Sequence, residues 1–117
     1  MKDSERLKAM VGLAEIVRDR ELAKVEKIVG HMRRIEGDIA QLREARDARL
    51  GDDTLDAARL SGADMAWLGW TEDQLSRKLA QLATLRATHE EALKAARQAF
   101  GRSDVLGKLA KAAPGKR

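Results

Sequence analysis

Two apolar stripes, one in each half of the sequence, constrain the fold of this chain more than any other feature. Within each stripe the apolar residues recur mostly at alternating steps of four and three, the spacing of heptad positions a and d. The pattern predicts an all-α fold, a long two-helix antiparallel coiled-coil hairpin. The first stripe consists of Leu7, Val11, Ala14, Val25, Ile28, Met32, Ile35, Ile39 and Leu42. The second stripe consists of Met65, Leu68, Leu75, Leu79, Leu82, Leu93, Ala96 and Phe100.

A specific register follows if the two stripes pair antiparallel with paired residue numbers that sum to 107. In that register Ile39 lies beside Leu68, and Ile28 lies beside Leu79. The midpoint falls within Gly51–Thr54, whose glycine and aspartates are residues that favour turns. The sequence therefore predicts one tip near this segment.

The helix ends are predicted from capping residues. Gly51 fits the left-handed position after the first helix, Asp53 is the N-cap of the second, and Gly101 stops the second. The hairpin is expected to occupy residues 1–110 and to be followed by a disordered basic tail at 111–117. Its expected parts are helix 1 over about 4–50, a turn at about 51–54, helix 2 over about 55–100 and a short terminal turn at 103–110.

Two other breaks compete with this division of the second half. Ser61–Asp64 contains a glycine between possible caps, and Thr71–Gln74 is a good capping box with Trp70 as its hydrophobic staple. We prefer a helix through both points, because the heptad phase continues across them from Met65 to Leu79.

Composition narrows the functional classes. Charged residues make up 36% of the 117 residues, aromatic residues make up 3%, and there is no cysteine. Disulfides and thiolate metal sites are therefore excluded. The lack of cysteine is compatible with a reducing cytoplasm. No apolar run has the length of a signal peptide or a membrane span. The net charge of +4 lies entirely from Glu90 onward, where seven basic residues face three acidic ones.

The register also places two polar layers in the middle of the seam. Glu21 would face Arg86, and Arg18 would face His89, and such layers can fix the register of a coiled coil. No nucleophile or second base accompanies His89, and His31 is too distant to share a metal ion with it. The sequence therefore predicts no catalytic, metal or cofactor site.

Two features are candidate protein-binding sites. Trp67 and Trp70 fall at heptad positions c and f on the outer face, and exposed tryptophans are enriched at binding hot spots. Alternatively, the helix breaks near Gly69 and one or both rings fold inward as a hydrophobic staple. Arg97 and Arg102 belong to the basic end, which suits an acidic partner better than nucleic acid because no aromatic residues are interleaved with the charges.

The chain resembles the FliJ family of flagellar export stalk proteins and its injectisome counterparts of the YscO type. The resemblance rests on Asp64–Trp70 leading into the second stripe, and on an N-terminal run. That run is Leu7, Arg18, Leu22, Met32, Arg33 and Arg34. The resemblance implies a non-enzymatic stalk or adaptor, cytoplasmic and peripherally associated with a membrane export apparatus. Its partners would be the export ATPase hexamer, the export gate protein and export chaperones.

Two alternatives of other classes remain open from the sequence. The hairpin could be a structural module that dimerises into a four-helix bundle, because a second apolar stripe exists. That stripe is Leu13, Ile16, Leu22, Val29, Leu60 and Leu85. A small basic nucleic-acid-binding hairpin is the other alternative. Oligomeric state and salt-dependent binding of RNA or DNA distinguish these classes from a monomeric stalk.

Overall fold

The structure, a computed structural model, describes residues 2–112 as three helices. Helix α1 is Lys2–Leu50, helix α2 is Ala57–Ser61 and helix α3 is Ala63–Ala112. The two long helices, α1 and α3, pack against each other, and the described residues contain no strand. The predicted fold class, an all-α antiparallel helical hairpin, is confirmed.

The hairpin divides into two compact units. The loop unit is Gly30–Arg86, and it contains the second part of α1, all of α2 and the first part of α3. The terminal unit contains residues 2–29 and 87–112, which are the first part of α1 and the last part of α3. Each unit is therefore a pairing of two helical segments that are distant in the sequence.

The predicted stripe of α1 forms the packed face of that helix. All nine of its members are buried or half-buried, and Val25 and Ile39 are only 8% and 5% exposed. Arg18 and Glu21, which continue the same spacing, are half-buried too. Heptad spacing therefore identified the packed side of α1 correctly over its length.

The packed face of α3 differs from the predicted stripe. Thr71, Ala99 and Ser103 are 0%, 4% and 7% exposed, whereas the predicted Leu79 and Phe100 are 42% and 44% exposed. Leu75, Leu82 and Ala96 of the predicted stripe are buried as expected. The prediction missed Thr71, Ala99 and Ser103 because it followed the largest apolar side chains.

The predicted register is wrong. Cross-helix contacts join Asp38 to Lys78, Arg46 to Glu72 and Arg18 to Phe100, with residue numbers that sum to 116, 118 and 118. These sums exceed 107 by about ten residues, which is almost three helical turns. A shift of nearly whole turns brings similar faces together again, so the periodicity could not distinguish the two registers.

The core of the loop unit shows the same displacement. Ile39 packs with Leu75 and Leu82, and Met32, Ile35 and Leu42 pack against this cluster. The predicted pair Ile39–Leu68 therefore does not describe the packing of Ile39. The predicted pair Ile28–Leu79 joins residues of different units and stays a prediction. The extra residues are taken up at the tip, because residues 51–62 form a loop and a short helix and leave the seam.

The tip is built differently from the predicted four-residue turn. Gly62 alone among the described residues has a positive φ, 83°, and it ends α2 in the left-handed conformation expected of glycine. Gly51 does not adopt that conformation, and Asp56 rather than Asp53 is the N-cap of α2. The preference for a helix through residues 61–64 is therefore wrong, because α2 and α3 are separate helices.

The last predicted stop is also wrong, since α3 continues through Gly101 to Ala112. A glycine inside a helix costs only about 1 kcal/mol relative to alanine. Burial of Ser103 and partial burial of Leu106 outweigh that cost. The predicted separate turn at 103–110 is thus part of α3. Lys111 and Ala112 of the predicted tail are helical, and residues 113–117 lie outside the described residues.

Candidate protein-binding surfaces

Arg49, near the end of α1, holds the tip together. Its guanidinium donates two hydrogen bonds to the carboxylate of Asp56, at 2.9 and 3.0 Å, and it also pairs with Asp64. Asp56 in turn accepts a hydrogen bond from the backbone amide of Arg59, 3.1 Å away, and caps α2. The Arg59 guanidinium donates to the Arg49 carbonyl oxygen at 3.0 Å. We call this group the Arg49 clasp.

The charges of the clasp stabilise one another. Hydrogen bonds from Arg49, followed by the one from the Arg59 amide, lower the pKa of Asp56 from 3.8 to about 2. Hydrogen bonds to Asp56 and Asp64 raise the pKa of Arg49. The hydrogen bonds that Thr54 makes to Asp52 lower the pKa of that carboxylate too. Arg49 and Asp56 therefore stay ionised at neutral pH.

Sequence reasoning missed the clasp. The signal was present as one arginine at the end of a helix, followed within fifteen residues by Asp52, Asp53, Asp56 and Asp64. Two of these aspartates were interpreted only as helix caps. Reading them as acceptors for Arg49 would have suggested a longer, ordered tip.

The two tryptophans occupy different environments. Trp70 is 54% exposed, in agreement with the predicted outer position. Trp67 is half-buried and lines a cavity of about 340 Å³ together with Ala58, Ala63 and Asp64. The prediction that both rings lie on the outer face is therefore wrong for Trp67, because the short helix α2 covers that side of α3.

The break predicted as an alternative near Gly69 does not occur. Helix α3 is continuous from Ala63, and Thr71 lies inside it rather than at its start. The Thr71 hydroxyl donates a hydrogen bond of 2.9 Å to the Trp67 carbonyl oxygen one turn earlier. This bond satisfies the hydroxyl of a residue that is fully buried.

Arg18 contacts different residues from those predicted. It donates a hydrogen bond of 3.3 Å to the Ser103 hydroxyl, and its guanidinium lies 5.8 Å from the ring centre of Phe100. These residues follow His89 by three to four turns of α3, so the predicted Arg18–His89 layer is wrong. The contact of Arg18 with the ring is instead a cation–π interaction.

The predicted Glu21–Arg86 pair joins residues of different units, and it stays a prediction. In the terminal unit, Glu21 forms an ion pair of 3.3 Å with Lys24 on its own helix. In the loop unit, Arg86 lines a groove with Glu36, Ile39 and Arg43.

Arg97 and Arg102 are both exposed in the terminal unit. Arg102 also lines a groove of about 260 Å³, whose other lining residues are all apolar and come from both long helices. These residues are Met10, Leu13, Ala14, Val17, Ala99 and Leu106. The sequence had suggested Leu13 as part of a second apolar stripe, but it had not placed Met10, Val17 and Arg102 beside it.

Two features, a metal-binding group and a membrane-spanning helix, are absent from the described part of the chain. No group of three or more histidine, cysteine, aspartate or glutamate side chains in residues 2–112 could hold a metal ion. None of the three helices is long and apolar enough to cross a membrane. The arrangement of these residues suits binding of another protein through the exposed apolar and basic side chains.

Comparison of the chain with protein-family models, curated proteins and solved structures finds no match.

Proposed function

We propose that this protein is a non-catalytic stalk or adaptor of a bacterial flagellar or type III protein export apparatus. It would couple the export ATPase to the export gate protein or to export chaperones. Its location would be cytoplasmic and peripheral to the membrane-bound apparatus. The choice of export system rests on the resemblance to the FliJ and YscO-type proteins.

The observation that carries the adaptor role is the exposure of large apolar side chains on a two-helix hairpin. Leu13 is 64% exposed, Ile16 is 56% exposed and Trp70 is 54% exposed. Exposed apolar groups of this size mark protein interaction sites when they are grouped on a surface. Arg97 and Arg102 add exposed positive charge in the terminal unit. A hairpin that displays such groups is suited to binding several partners along its length.

The first experiment tests contact with the ATPase. The double substitution Arg97→Glu and Arg102→Glu should weaken binding to the export ATPase from the same organism, measured by pull-down and by calorimetry. The loss should shrink as salt rises, because exposed charges are screened. The double substitution Arg33→Glu and Arg34→Glu is the matched control, because it reverses two exposed charges in the loop unit. An equal loss of ATPase binding in both double variants would contradict the assignment of ATPase contact to Arg97 and Arg102.

The second experiment tests contact with the gate or chaperone. Trp70→Ala should reduce binding to the gate domain or chaperone while helix content and ATPase binding stay near wild type. Trp67→Ala is the matched comparison, and it should lower stability as well, because Trp67 is half-buried. If no component of an export apparatus binds the wild-type protein, the proposed function is wrong.

A second candidate function is a homodimeric four-helix bundle. Leu13, Ile16 and Leu22 are 64%, 56% and 39% exposed and belong to the predicted second apolar stripe. The other members of that stripe differ in exposure. Leu60 is 74% exposed, whereas Val29 and Leu85 are half-buried. Sedimentation equilibrium distinguishes the candidates, because a stable dimer that is unaffected by an ATPase favours the structural module.

A further inference from the structure

The terminal unit carries an apolar groove of about 260 Å³, lined from both of its helical segments. Met10, Leu13 and Val17 of α1 form one wall, and Ala99 and Leu106 of α3 form the other. The α1 residues follow one another at steps of three and four, so they lie on one side of the helix. Met10, Leu13 and Val17 are 50%, 64% and 43% exposed, so this wall has no covering within the terminal unit.

Basic residues border the apolar wall at the same helical spacing. Arg6 lies four residues before Met10, Arg20 lies three residues after Val17, and Lys24 follows four residues later. The acidic Glu21 lies four residues after Val17 on the same side of the helix. Arg102 lies in the groove itself. Within residues 2–112, Arg6, Arg20 and Arg102 form no ion pair, whereas Lys24 pairs with Glu21 at 3.3 Å. No acidic side chain lines the groove.

We infer that this groove binds an amphipathic helix of a partner protein, with apolar residues on the buried face and acidic residues flanking them. A third helix packs well between two others when its apolar side chains enter the groove that they form. Acidic flanks would pair with Arg6, Arg20 and Arg102, which lack partners in the hairpin. The inference deepens the proposed function and rests on it only in requiring a partner protein.

Charge selects this occupant over a second copy of the chain. In a symmetric dimer the same patch would lie on both sides of the interface, so basic residues would face basic residues. Like charges placed across an interface disfavour association. The shape of the site also favours a helix over an anionic membrane, because the apolar residues line a groove between two helices and do not form one flat face.

The direct test uses a designed peptide of about 21 residues, six turns of helix. Its leucines stand at heptad a and d positions and its glutamates at e and g. Two control peptides have the same length: one carries lysine at e and g, and the other has the acidic sequence scrambled to destroy the stripe. Fluorescence anisotropy of labelled peptides should show binding of the acidic peptide alone, weakening as salt rises.

Variants of the protein locate the binding site. Leu13→Ser should weaken binding of the acidic peptide about tenfold or more. The reason is that the leucine, which is exposed in the free protein, would no longer be buried against the peptide in the complex. Ile16→Ser, an exposed residue outside the groove lining, is the matched control and should bind as wild type. Arg102→Glu should weaken binding of the acidic peptide and strengthen binding of the lysine peptide. Circular dichroism should show unchanged helix content in all three variants.

Three outcomes would overturn the inference. Equal binding of the acidic and lysine peptides would remove the charge argument. Dimerisation of the protein that Leu13→Ser abolishes would identify a second copy as the occupant. Binding to vesicles of phosphatidylglycerol, with no binding to the acidic peptide, would identify a membrane surface. If the acidic peptide binds and no export component does, the groove assignment stands and the proposed function fails.

Discussion

The two units of the hairpin use opposite kinds of side chain where α1 and α3 meet. In the loop unit, α3 contributes the large apolar residues Leu75 and Leu82, which pack with Ile39. In the terminal unit, α3 contributes Ala96, Ala99 and Ser103. The loop unit therefore buries much apolar volume between its helices. In the terminal unit the buried side chains are Val25 of α1 and these small residues of α3.

The two units also differ in the polar contacts between their helices. Ion pairs join Asp38 to Lys78 and Arg46 to Glu72 in the loop unit, at 3.2 Å each. In the terminal unit, Arg18 instead contacts Ser103 and Phe100. Ion pairs therefore join the helices of the loop unit, whereas a hydrogen bond and a cation–π contact join those of the terminal unit. Both units expose large apolar side chains, since Leu55 and Met65 of the loop unit are 74% and 73% exposed and Leu13 of the terminal unit is 64% exposed.

The largest expected effect tests where the stability resides. Leu82→Ala in the loop unit should lower the free energy of unfolding by about 2–4 kcal/mol, because it leaves a cavity beside Ile39 and Leu75. Leu13→Ala in the terminal unit removes the same atoms from a side chain that is 64% exposed. It should change the free energy by less than about 0.5 kcal/mol. Urea unfolding followed by circular dichroism measures both, and equal losses would refute the comparison.

The next effect tests the small residues of the terminal seam. Ala99 is 4% exposed, so Ala99→Leu should force larger atoms between the helices and destabilise by about 1–3 kcal/mol. Ala23→Leu makes the same change at an exposed position of the same unit and should be nearly neutral. A stabilised Ala99→Leu variant would show that the seam contains unfilled space. Thermal unfolding of both variants decides the matter.

Two glycines of the loop unit should respond with opposite signs. Gly62→Ala should destabilise by about 1 kcal/mol, because its φ of 83° is unfavourable for alanine. Gly37→Ala should stabilise by about 1 kcal/mol, since Gly37 lies inside α1 and an added Cβ meets nothing within 4 Å. Changes of the same sign would contradict the left-handed break between α2 and α3.

The smallest effect is a pH dependence confined to the tip. The pKa of Asp56 is lowered from 3.8 to about 2, so the ionised carboxylate stabilises the folded tip above pH 3.8. This stabilisation should be lost as the pH falls from about 4 to about 2. The Arg59 amide resonance should report the titration by NMR, because that amide donates to Asp56.

Asp56→Asn is the control for that titration. Asparagine can still cap α2, but it does not ionise, so the shift of the Arg59 resonance over this range should disappear. Persistence of the shift in the variant would assign it to another carboxylate. The terminal unit should show no change that depends on this substitution.

Some properties of the candidate sites depend on residues that are close in the sequence, and others depend on residues that are far apart in it. The exposure of Trp70, Arg97 and Arg102 was predicted from heptad position and charge alone. The half-burial of Trp67 was not, because it depends on how α2 folds over α3. The groove between Met10 and Leu106 was missed as well, since its two walls are separated by almost the whole chain.

The sequence by itself determined that the chain forms two long helices, and it determined which side of α1 is packed. Heptad spacing is a local property, and it sets the buried side of a helix whatever the partner. Only the tertiary structure decided the register and added Thr71, Ala99 and Ser103 to the packed face of α3. A shift of about ten residues brings similar faces together again, because it is almost three full turns. The Arg49 clasp, α2 and the turn at Gly62 fix the true register by removing the tip residues from the seam.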